Sequence, residues 1–92
     1  MTDAGLTPRL LRRVERDFPG RSVAELLADV ESGNQDRERV LAAVLLMARG
    51  DVERLREAVA LSRVDWRDVL VFGGLGQPDW PQRLDSELGQ SG

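Results

Sequence analysis

Apolar residues recur along this chain at helical rather than strand spacing. At about 100° per residue, Leu10, Leu11, Val14 and Phe18 share one sector of a first helix, and Arg9, Arg12, Arg13 and Arg16 fall on the opposite one. Thr7-Pro8 opens this helix with a hydroxyl cap and a proline at the first helical position, where its missing N–H costs nothing. Pro19-Gly20 closes it. A second, short helix begins at the capping box Ser22-Val-Ala-Glu25 and carries Val23, Leu26, Leu27 and Val30 at helical spacing. The third, from about Asp36 to Arg49, is apolar around its whole circumference between Val40 and Ala48, the pattern of a helix surrounded by others. Its alanines and charged first turn favour helix over buried strand, and Gly50 is placed to adopt positive φ after it.

Asp51 caps a fourth helix with Val52, Leu55, Ala58, Val59 and Ser62 on one side. Asp65 caps a fifth, from Trp66 to about Phe72, with Trp66, Val69 and Leu70 inward and Gly73-Gly74 ending it. A last helix spans about Pro81 to Leu88. The pattern predicts an all-α fold, a compact bundle of five to six short helices around a central apolar helix at about 36–49. It divides the chain into a flexible N-terminus at 1–6, a single helical domain at 7–88 and a disordered tail at 89–92.

Composition narrows the chemistry. The 92 residues contain no Cys, His, Lys or Tyr, and thirteen arginines against sixteen carboxylates give a net charge of −3. Without His or Cys there is no zinc site of the usual donors, no Cys/His pair and no Ser-His-Asp triad; without Lys there is no Schiff base and no P-loop lysine. No catalytic residue, metal or cofactor is assigned. The size allows about 64% of the unfolded surface to be buried, enough for one core, and self-association is a common way to extend so small a core. The longest unbroken apolar run is nine residues, about half of a membrane span, and the first residues lack a signal-peptide pattern. The expectation is a cytoplasmic chain with no membrane contact.

Charge is unevenly placed: residues 1–21 sum to +2 and the rest to −5. The stripe Arg9, Arg12, Arg13 and Arg16 is therefore a candidate docking face for phosphates or an acidic protein surface, set against its plain reading as the solvated side of an amphipathic helix. Helices three and four around Gly50 also form a helix-turn-helix outline, but Glu53 and Glu57 on the would-be recognition helix repel phosphate, and the acidic balance argues against nucleic acid. The pairs Glu25 with Asp29 and Glu53 with Glu57 read as surface charges beside arginines. The run from Val69 to Gly76 lacks the spacing of a nucleotide loop. Trp80 is a candidate interface anchor.

The stretch Glu38-Arg-Val-Leu-Ala-Ala-Val-Leu-Leu-Met-Ala-Arg-Gly-Asp-Val-Glu-Arg-Leu-Arg-Glu-Ala-Val, followed by Asp65-Trp-Arg-Asp-Val-Leu70, resembles a group of small uncharacterised bacterial all-helical proteins. Over about residues 8–72 the resemblance implies a compact helical fold and transfers no functional residue. Phe18-Pro19 and Leu45-Leu46 also resemble the Phe-Pro and dileucine elements of the ubiquitin-binding CUE fold, although Asp17 stands where that family has Met; this is an analogy of shape. The function expected is a non-catalytic protein-interaction or self-association module, whose partner is another protein or a second copy, with Arg9, Arg12, Arg13, Arg16 and Trp80 as candidate partner-binding residues. The alternative is a DNA-associated, helix-turn-helix-like regulator.

Overall fold

The apolar segment at 40–48 forms the centre of the molecule in the computed structural model, which describes residues 6–20, 23–33 and 36–89. Five helices follow in order: α1 (Pro8–Asp17), α2 (Ala24–Ala28), α3 (Arg37–Ala48), α4 (Val52–Phe72) and α5 (Trp80–Leu88). There is no strand among the described residues. In α3, Val40 through Leu45 and Ala48 are wholly buried, because α4 packs along it and α1 and α5 close over its other sides. Each fully buried Val or Leu side chain contributes about 1.5–3 kcal/mol, so this helix is the largest single source of cohesion. The fold is all-α, as the periodicity implied. Among the described residues no helix is long and apolar enough to cross a membrane.

Caps place the helix starts. The Thr7 hydroxyl accepts from the Leu10 N–H, the Asp36 carboxylate from Glu38 and Arg39, and the Asp51 carboxylate from Glu53 and Arg54. Asp65 does the same inside α4: its backbone is extended (φ −159°, ψ 101°) and its carboxylate accepts from the Arg67 N–H at 3.0 Å. The expected fourth and fifth helices are thus both present, joined without a loop at Asp65, whose extended backbone breaks α4 and whose side chain caps the second segment. Ser22 lies outside the described residues, and Val23 occupies the N-cap of α2 without a side-chain bond. The C-terminus of α2 is closed from a distance, by Arg37 donating to the carbonyls of Leu27 and Val30.

Two glycine positions decide how closely the helices meet. At the end of α4, Gly74 donates to Val71 and Leu75 to Leu70, the paired bonds of a Schellman motif with φ +80° at Gly74. The preceding Gly73 lies against α3 so tightly that an added Cβ would sit 2.7 Å from the Cα and carbonyl oxygen of Ala43. Only a residue without a side chain allows the end of α4 to lean on the central helix there.

The sequence-based face of α1 is rotated in the structure. Leu10 is buried and Val14 packs on the core, but Leu11 is exposed, while Arg9 and Arg13 turn inward. The buried sector has moved toward the arginines by a large part of the roughly 100° between successive residues. Both edges of the domain also extend beyond the expected limits. Leu6, assigned to a flexible N-terminus, is buried in the core; Gly89, assigned to a disordered tail, donates its N–H to Asp85 and accepts from Arg9. Residues 1–5 and 90–92 lie outside the described residues.

Candidate interaction surface

The four stripe arginines fall into two pairs with different surroundings. Arg9 is 6% exposed and is enclosed by acceptors from two other helices. Its guanidinium donates to both oxygens of Glu38 at 2.7 and 2.9 Å, to Asp85 at 2.6 Å and to the Gly89 carbonyl at 3.0 Å. The Thr7 hydroxyl also donates to Glu38, so one side chain caps α1 and ties it to α3. The bond to Glu38 holds the Arg9 guanidinium above its ordinary pKa against the opposing effect of burial. Reciprocally, Arg9 holds the Glu38 carboxyl below the usual carboxylate range, against burial and with help from Thr7. Arg13 pairs with Asp17 at 2.8 Å and donates to the Glu87 carbonyl at 2.9 Å. Arg12 and Arg16 are exposed.

Trp80 is half-buried rather than a free anchor. Its ring packs on the core and lies 4.7 Å from the guanidinium carbon of Arg39, which donates two bonds to the Leu75 carbonyl. The contact fixes the start of α5 over α3. Burial lowers the Arg39 pKa from its ordinary value, and Asp36 opposes this.

A surface with the makings of a docking site lies elsewhere. A cleft of about 450 Å³ opens between α1, α3, the end of α4 and α5, lined by Arg13, Leu46, Met47, Arg49, Phe72, Gly73, Gly74, Arg83 and Glu87. Leu46 and Met47 are the two residues of the central run that α3 leaves partly uncovered, and Phe72 on the facing wall is 67% exposed. Val71, equally exposed, borders a second hollow of about 250 Å³ that shares Gly74 and Arg83 with the first. The close approach of Gly73 to Ala43 sets the depth: it pins the end of α4 to α3 and leaves Phe72 standing at the rim.

Of the residues singled out from sequence, only Arg13 lines this cleft. Leu46, Met47, Arg49, Phe72 and Arg83 were missed. The signal for Phe72 was present: four consecutive apolar residues, Val69 to Phe72, cannot all face one core when each step turns the helix about 100°. The carboxylates Glu25, Asp29, Glu53 and Glu57 are exposed, and no group of three or more acidic residues could hold a metal ion among the described residues. Comparison with known family models, curated proteins and solved structures finds no match to the chain.

Proposed function

We propose that this chain is a non-catalytic protein-interaction module that receives an apolar side chain of its partner in the cleft between Leu46, Met47 and Phe72. The observation that supports this reading is the exposure of Phe72 beside two partly covered residues of the central helix, with the equally exposed Val71 on the adjoining hollow. A large exposed aromatic beside partly covered apolar side chains, in a cleft otherwise rimmed by charged groups, gains by being covered. Met47 suits such a site because its flexible thioether adapts to differently shaped occupants.

Selection of peptides from a displayed random library against the intact protein tests the reading. Selected peptides should bind at least about tenfold more weakly to Phe72→Ser, the scale of one lost apolar anchor. Far-UV circular dichroism should be unchanged, since Phe72 contributes little to the core. Peptides that bind Phe72→Ser as tightly as the parent would overturn it.

A further inference from the structure

Resting on the docking reading above, we propose that the partner is an acidic peptide segment with one large apolar side chain between carboxylates. Charge is the first argument. The cleft carries Arg13, Arg49 and Arg83 against Glu87, in a chain whose net charge is −3. Arg13 is paired with Asp17, but Arg49 and Arg83 make no ion pair among the described residues. Guanidinium forks bind carboxylates with two parallel hydrogen bonds, and they steer an acidic segment toward the hollow before contact.

Backbone strain is the second argument. Arg49 is the one non-glycine residue with positive φ among the described residues, at φ 49° and ψ 42°. A side chain is costly in that region, and glycine adopts it freely. Arginine at the C-cap of α3 therefore sacrifices stability and gains a guanidinium at the mouth of the cleft. A strained residue at the edge of a hollow is where function is expected.

A second copy of this chain is a poor head-to-tail occupant, and a two-fold pairing of the cleft with itself would bring the arginines of both copies together. Its other exposed apolar residues are Leu11 and Val64. Leu11 is followed by Arg12 on the arginine-rich helix, and Val64 lies between Arg63 and an Asp65 already paired with Arg67. Neither offers two available carboxylates around an apolar anchor.

The test uses short capped peptides with a single Phe flanked on both sides by Glu, by Gln or by Lys, titrated into the intact protein by fluorescence anisotropy. The Glu peptide should bind at least about fivefold more tightly than the Gln peptide, and the Lys peptide least, the scale of one or two exposed ion pairs. The double variant Arg49→Glu/Arg83→Glu should invert that order. Arg49→Gly should weaken the Glu peptide while raising the melting temperature, a combination that a purely structural role for Arg49 does not produce.

Equal binding of all three peptides, lost in Phe72→Ser, would overturn the acidic partner and leave the docking reading intact. Binding that Phe72→Ser does not touch would overturn both. A concentration-dependent dimer in sedimentation, dissociated by Phe72→Ser, would assign the cleft to a second copy and overturn the proposal.

Discussion

Replacing Arg9 by Met should damage the protein more than removing Arg9 and Glu38 together. In the native molecule the two side chains are 7% and 17% exposed and joined at 2.7 Å. Arg9→Met leaves the Glu38 carboxylate in a half-closed site with only Thr7 as donor. Breaking one partner of a buried pair costs about 3–5 kcal/mol. A chain of this length has a total stability of only about 5–14 kcal/mol at roughly 0.05–0.15 kcal/mol per residue, so the loss is large. The Asp85 bond adds little, because that carboxylate is half in solvent. In Arg9→Met/Glu38→Met the one carboxylate left without its partner is the half-exposed Asp85, which water solvates, and the double variant should recover at least about 2 kcal/mol relative to the single one. Urea unfolding followed by circular dichroism measures both.

The pH dependence supplies an independent reading. The native Glu38 carboxyl titrates below its unfolded value, so its contribution is complete above the unfolded value, about 4.3, and is lost as pH falls through the native one. Without Arg9 the largest remaining influence on Glu38 is burial, which raises its pKa. Acid then relieves the variant while it weakens the parent, and the gap between them should narrow as pH drops toward 4. Equal stability of the single and double variants, or a gap independent of pH, would refute the assignment of Arg9 as an internal ion-pair centre.

Other outcomes follow from single contacts. Gly73→Ala should cost about 1–3 kcal/mol and lower the urea midpoint, since the new methyl meets Ala43 backbone that cannot yield without shifting a helix. Ser62→Ala should cost about 1–3 kcal/mol by the same measurement, because the Ser62 hydroxyl both donates to the Val59 carbonyl at 2.6 Å and accepts from the Glu31 N–H at 3.1 Å. Leu10→Ala should cost about 2–5 kcal/mol, while Leu11→Ala stays within about 1 kcal/mol of the parent. Anisotropy with labelled duplex DNA at low salt should show no binding tighter than about 0.1 mM, since Arg9 and Arg13 already face internal carboxylates.

Local signals in the sequence located most of the architecture. Asp36, Asp51 and Asp65 mark three helix starts because a cap is a contact between near neighbours, and the all-round apolar run of α3 marks a helix with packing on every side. The orientation of α1 was not legible, since hydrophobicity counts Arg9 as polar whatever it meets. Its partners Glu38 and Asp85 stand 29 and 76 positions away, and nothing in the local pattern announces them. The same holds for the cleft: Arg13, Met47, Phe72 and Arg83 belong to four different helices and meet only in three dimensions. Arg49 was hidden differently, because Gly50 next to it is the residue that ordinary turn chemistry points to, and both adopt positive φ.

Arg9 and Arg13 bond to carbonyls and a carboxylate at positions 85, 87 and 89. During synthesis the early partners Asp17 and Glu38 are available first, and the parts of the two guanidiniums that face α5 stay hydrated until that helix docks. The nascent chain can wrap α1, α2 and α4 around α3 beforehand, but the arginine side of α1 closes only when the last helix arrives. Docking of α5 is therefore a late event that completes the hydrogen bonding of the first helix, and a chain truncated before residue 80 should be collapsed but loosely sealed along that side of α1.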